Sequence, residues 1–221
     1  MPNFSGIWTV TQQMQAVASG NWTSLAIGQV LGGGYFAGQI STAGTGIADY
    51  NLVVAPLSSG QSTLLFQTGP SFNAGALSDI NGPANSASMN DSAHPAAQFC
   101  EAANIGGFTD WYLPAVNELE VCYYNLKPST QANLTSPSSG INPNSVPARA
   151  SAYTSGTPAR TSATLFQIAQ AQAFDDTRYW TSTQDTSIGN RARFQNFYNG
   201  QQGNYYKPSY MKVRAVRRVA V

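Results

Sequence analysis

Apolar residues recur along this chain with two different periods, and the switch between them marks out the elements. In the stretch GGFTDWYLPAVNELEVCYYNL, from Gly106 to Leu126, Val116, Leu119, Tyr123 and Leu126 repeat at three- and four-residue spacing, with Cys122 at the edge of the stripe. That spacing predicts a helix with one buried face. Pro114 suits a first helical position and Glu118 falls near the positive end of the helix dipole, so the helix is expected to open at Pro114. Just upstream, Gly106 and Gly107 permit a tight turn and Asp110 can accept from backbone N–H groups. Trp111, turned inward, then needs a partner for its indole N–H. A second helix is predicted from His94-Pro95, with Ala96, Phe99, Cys100 and Ala103 on one face and the lone His94 at its start.

Elsewhere the pattern is that of strands. GGGYFAGQI from Gly32, YNLVVAP from Tyr50 and STLLFQT from Ser62 read as successive antiparallel strands, separated by Gly, Ser, Thr and Ala. The run Gly32-Gly33-Gly34 precedes neither a Lys nor a helix, so a bulge or the start of a strand is expected there and not a phosphate loop. Asn73 to Asp91 reads as a polar connector. Tyr179 to Thr183, Arg191 to Tyr198 and Met211 to Val219, with a hairpin turn at Asn199-Gly200, should form the main antiparallel sheet, with Trp180 and Phe194 in its core. Lys127 to Arg178 is rich in Pro, Ser, Thr, Asn and Ala and has one apolar patch, Leu165, Phe166 and Ile168; composition alone permits disorder there.

Residues 1–25 stand apart from 26–221. Thr11 can cap a short helix carrying Val10, Met14 and Val17, which Gly20 ends. Phe4, Ile7, Trp8 and Trp22 add more apolar surface than so short a segment hides, so it docks either on its own domain or on another chain.

Composition narrows the function. With 221 residues and 42% hydrophobic content the chain can bury a sizeable core, yet only 10% of residues are charged and the net charge is +1. Such a balance does not favour nucleic acid or an anionic membrane. No apolar run reaches the roughly 20 residues of a membrane span, and the N-terminus lacks the basic and apolar signature of a signal peptide, so a soluble protein made in a cytoplasm is expected. Two cysteines and one histidine cannot furnish a structural zinc site, and both cysteines lie on apolar helix faces, which predicts buried free thiols.

The pieces Gly106-Gly107, Asp110-Trp111, Leu113-Pro114, Glu118-Leu119, Tyr179 to Thr183, Asn199-Gly200 and Val213 to Arg218 together resemble the Lcl C-terminal domain family, over about Gly32 to Val219. The resemblance implies an α+β fold: a C-type-lectin-like domain, related to that of the formylglycine-generating enzyme, with antiparallel sheets and two helices behind a short N-terminal attachment segment. It implies that 127–178 is an insertion, ordered as an extended surface loop with one short helix. Similar modules occur in bacterial adhesins and phage proteins. The expected protein is therefore a non-enzymatic phage or prophage virion protein, assembled in the host cytoplasm. Phe4, Ile7, Trp8, Met14 and Trp22 would attach it to other virion proteins, and its C-terminal region would meet a host cell-surface glycan or protein. The alternatives are a capsid-decoration or tail structural protein of the same fold and an enzyme of the formylglycine-generating type. A trimer is expected, since low-charge surfaces with long polar loops suit symmetric packing.

Candidate chemistry is sparse. Glu118 and Glu120, two apart on a helix, point in different directions and do not make a carboxylate pair. Enzymatic relatives rely on two late cysteines, whereas Cys100 and Cys122 come early. Asp175, Asp176 and Asp185 have calcium-type oxygens but read as solvated turn acids; no metal and no cofactor is expected. Arg214 and Arg218 are expected on one face of a strand and Arg217 on the other, paired with acids such as Asp110 or Glu118. The segment RARFQNFYNGQQGNYYKPSY mixes Tyr and Arg with Asn, Gln and Gly in the manner of a recognition surface, although an ordinary solvated hairpin has the same composition. Strand alternation places Arg191, Arg193 and Gln195 outward. With Asn199, Gln201, Gln202, Asn204, Tyr205 and Tyr206 they form the expected ligand-binding face.

Overall fold

The computed structural model describes residues 25–221; the expected attachment segment, with Phe4, Ile7, Trp8, Met14 and Trp22, lies outside the described residues. The chain forms two five-stranded sheets. The first holds β1 (Val30–Leu31), β2 (Gly34–Ile40), β3 (Tyr50–Val54) and β10 (Val216–Ala220) in that order, with β5 (Ser145–Val146) also on β2. The second holds β4 (Gln61–Leu65), β9 (Tyr210–Arg214), β6 (Arg178–Gln184), β7 (Arg191–Asn196) and β8 (Gln202–Tyr206). All pairings are antiparallel except β6 with β9. The fold is thus α+β with antiparallel sheets. The glycine run makes the expected strand start: Gly32 and Gly33 both have positive φ, at 50° and 82°, as a two-residue turn between β1 and β2 requires.

Four α-helices occur among the described residues: α1 (Leu57–Gly60), α2 (Gly82–Ala87), α3 (Pro95–Glu101) and α4 (Val116–Leu126). The two longest are the two expected, and His94 occupies the N-cap position of α3. The short α2 lies within the stretch read as a polar connector. Its buried residues are Gly82, Asn85 and Ser86, so no apolar period betrays it. Asn81 accepts from Ala84 N–H, Asn85 donates to the Ser78 carbonyl, and the Ser86 hydroxyl accepts from Leu113 N–H. The fourth helix starts two residues later than expected. Ala115 is its N-cap, and Glu118 reaches back to accept from Ala115 N–H at 2.8 Å. No helix among the described residues is long and apolar enough to cross a membrane.

Two clusters of buried side chains form the core. One gathers Val53, Phe66, Met89, Trp111, Trp180, Phe194, Met211 and Val213. The other gathers Ile40, Leu52, Leu119, Tyr123, Leu126, Phe166, Phe174, Tyr179, Phe197 and Val216. Trp111 turns inward as expected, its indole N–H facing the Ile105 carbonyl at 3.4 Å. Cys100 and Cys122 are buried and free, and burial pushes both thiols far above their ordinary range.

Two expectations need correction. Met211 to Val219 is not one strand: the chain changes sheets at Ala215, whose N–H donates to Gly60 and whose carbonyl accepts from Ala55 N–H. Arg214 and Arg218 therefore share no face. Arg214 is buried with its guanidinium over the Phe174 ring, and it donates to the Ala55 carbonyl at 3.0 Å. The two later arginines pair as expected, Arg217 with Asp110 at 2.7 and 2.8 Å and Arg218 with Glu118 at 2.9 Å. Second, the insertion 127–178 is more than a surface loop. It contributes β5, a 3₁₀ turn at Thr164–Phe166, and Tyr153, Phe166 and Phe174 to the core. The buried Lys127 gathers it in by donating to the Gln131 carbonyl, Asn133 Oδ1 and the Pro158 carbonyl, at 2.5, 2.7 and 3.2 Å.

Candidate ligand-binding cleft

The register of the second sheet decides which side chains share a face. Arg191 pairs with Tyr206, Arg193 with Asn204 and Gln195 with Gln202, so these six lie on one face. Ala192 pairs with Tyr205 and Phe194 with Gly203, while across β6 Trp180 pairs with Phe194 and Arg178 with Asn196. Arg178, Asn196 and Tyr205 thus stand on the opposite face, together with Trp180 and Phe194.

The residues expected to form one binding face are consequently split. At the turn end, Gln195 and Gln202 are both buried, and the insertion reaches over Gln202. Gln195 donates to the Gly200 carbonyl at 3.1 Å; Gln202 accepts from Gly140 N–H at 3.0 Å and donates its own N–H to the Ser139 hydroxyl. Asn199 and Gln201 shape the turn, Asn199 Oδ1 accepting from Gln201 N–H, and the Asn199 carbonyl accepts from Leu134 N–H at 2.7 Å. Gly200, at φ 76°, has the positive φ expected of the turn, and a Cβ there would lie 2.7 Å from the Tyr123 ring. This end is a structural joint. At the far end Asn204 accepts from Arg191 and donates to Asp185. Only Arg191, Arg193 and Tyr206 remain open on that face.

Tyr205 belongs to the other side. There Asp176, Thr177, Arg178, Asn196, Tyr198, Tyr205, Tyr210 and Met211 line a cleft of about 450 Å³ that crosses the ends of four strands. The rings are accessible, Tyr205 being 44% exposed and Tyr210 72%. The Arg178 guanidinium lies 4.9 Å from the Phe194 ring centroid and 5.3 Å from that of Tyr205, and among the described residues no carboxylate pairs with it. Burial, then the neighbouring Asp175, hold the Asp176 carboxyl above its usual range, against a smaller opposite pull from Lys127. Sequence reasoning did not single out Arg178, Asn196, Tyr198 and Tyr210, which line this cleft. The signal available was strand parity, which puts Arg178 on the Trp180 side.

The remaining acids serve the fold. Asp175 pairs with Lys212 at 2.9 Å, and Asp185 accepts from Ser187 and Ile188 N–H groups at 2.8 and 2.7 Å. Among the described residues no group of three or more His, Cys, Asp or Glu is arranged to hold a metal. Glu118 and Glu120 are fully buried and diverge as expected. Glu118 accepts from Tyr112 at 2.6 Å and from Arg218, while Glu120 accepts from Tyr153 at 2.7 Å, Asn142 at 2.6 Å and Arg149.

No curated protein and no solved structure matches the chain. A family model described as the Lcl C-terminal domain matches residues 67–217, a narrower span than the motifs had outlined but one that takes in the helix α4, the joint and every residue lining the cleft. With that match over more than half its length, the chain belongs to the Lcl C-terminal domain family.

Proposed function

We propose that this chain is a non-enzymatic virion surface protein of a phage or prophage, which binds a host cell-surface ligand through the tyrosine-lined cleft at the end of the second sheet. The observation that supports this reading most is the cleft itself: three exposed tyrosines, Asn196 and two charged groups without an ion-pair partner among the described residues, set on the ends of strands and the turns beside them. Tyrosine side chains lose little entropy on binding, and tyrosine and arginine are prominent among the residues that dominate contact energies. A non-catalytic role is supported by where the other reactive groups sit, since both thiols and both helix carboxylates are engaged in the core.

In this reading residues 1–25, with Phe4, Ile7, Trp8, Met14 and Trp22, join the domain to other virion proteins, and the particle carries it as a homotrimer, tail-associated in preference to a capsid decoration. Arg191, Arg193 and Tyr206, on the opposite face, lie outside the ligand site. The test is adsorption to host cells by the full chain and by Tyr205→Ala/Tyr210→Ala. Truncating one buried anchor costs about 2 kcal/mol, roughly a 30-fold loss of affinity, so the double variant should no longer adsorb while its melting temperature holds. Undiminished adsorption would move the site off this cleft. Removal of residues 1–25 should leave a cooperatively folding domain that no longer joins the particle, and sedimentation of the full chain as a monomer at micromolar concentration would end the trimer proposal.

A further inference from the structure

The cleft holds a cation and an anion that do not neutralise one another. Arg178, the first residue of β6, and Asp176, two residues before it, both line it, and no ion pair within 4.0 Å joins them or joins either to another described residue. The other charges nearby are committed. Asp175 is taken by Lys212, and Lys127 spends its three donors on Gln131, Asn133 and Pro158. Among the described residues no group accepts a hydrogen bond from the Arg178 guanidinium, which is held against the Phe194 and Tyr205 rings. A guanidinium resting on aromatic rings keeps its donors available for a carboxylate fork, which a lysine cannot reproduce.

Each class of ligand can be set against these two charges. A neutral saccharide would cover both, taking them out of water without supplying a counter-charge. A simple anion answers Arg178 but brings a second negative charge beside Asp176, and a simple cation does the reverse beside Arg178. A ligand carrying both charges on one small frame answers both, and its ammonium finds tyrosine faces as well as a carboxylate. We propose that the cleft takes an amino-acid zwitterion, its carboxylate on Arg178 and its ammonium at Asp176. This rests on the cleft being the ligand site.

The test is titration of the full-length protein at neutral pH with four probes: L-alanine, N-acetyl-L-alanine, which keeps only the carboxylate, L-alaninamide, which keeps only the ammonium, and galactose. Alanine should bind at least about tenfold more tightly than any other probe, tenfold being 1.4 kcal/mol. Asp176→Asn should erase its advantage over N-acetylalanine, and Arg178→Gln its advantage over alaninamide, with Arg178→Lys failing to restore it. Equal or tighter binding of galactose or of either singly charged probe overturns the proposal, as does an absence of saturable alanine binding at tens of millimolar. The same two variants in the adsorption assay separate the two levels. Lost adsorption without alanine preference removes the zwitterion and keeps the cleft, whereas parental adsorption by both variants removes the cleft.

Discussion

The helix α4 and the cleft at the end of the second sheet use the same side chains, carboxylates, arginines and tyrosines, to opposite ends. Around α4 each charge is enclosed and answered: Glu118 by Arg218 and Tyr112, Glu120 by Arg149, Tyr153 and Asn142. In the cleft Asp176 and Arg178 are accessible and neither has an ion-pair partner among the described residues. Burying an unpaired charge is costly, so carboxylates reach the core only with a full set of donors. An accessible charge carries no such demand and is free to meet a ligand. Residue type alone therefore does not separate structure from recognition; partnership and access do.

The sharpest way to break the comparison is to strip a core carboxylate of its role. Glu118→Ala or Glu120→Ala should each cost about 3–5 kcal/mol in denaturant unfolding, because each strands a largely enclosed arginine and a buried tyrosine hydroxyl. A loss below about 1 kcal/mol would mean that these networks contribute little to the fold. Gly200→Ala comes next. Its φ of 76° and the 2.7 Å approach of a Cβ to the Tyr123 ring should cost about 1–2 kcal/mol and loosen the joint between hairpin and insertion. Tyr210→Ala, by contrast, should stay within about 0.5 kcal/mol of the parent in stability, since the ring is 72% exposed, and should weaken only ligand binding.

The smallest effect concerns pH. Arg217, through hydrogen bonds and charge, holds the Asp110 carboxyl below its ordinary range, against a weaker opposing push from burial. A carboxyl depressed on folding contributes stability that is fully present above its unfolded pKa, about 3.9, and is lost as pH falls through the lower folded value. Asp110→Asn should therefore leave a stability profile that falls less steeply below about pH 4. The difference should be small, because the Asp110 side chain is 55% exposed.

Much of the fold was legible in the residues. The three- and four-residue repeat of Val116, Leu119, Tyr123 and Leu126 is a local property of a helix, and all four are buried. Gly32-Gly33 and Asn199-Gly200 announce turns, and Gly32, Gly33 and Gly200 have the positive φ that other residues resist. Asp110 and Glu118 were the acids expected for the late arginines, and they are the acids found. The helix α2 was not legible because polar side chains bury it, through hydrogen bonds to Ser78, Ser182 and Leu113 that no periodicity encodes.

For the site, the sequence by itself determined the concentration of Tyr, Asn and Arg near the C-terminus and the alternation that gives each strand two faces. Only the tertiary structure decided which face is open. Gln202 alternates correctly with Gly203, yet a segment some sixty positions earlier in the chain, at Ser139 and Gly140, folds over it. Arg178 and Tyr210 come together because β9 returns beside β6 in parallel. Alternation is set by the pleat within one strand, whereas exposure is set by what packs on it, and that depends on pairings between distant segments that no local pattern contains.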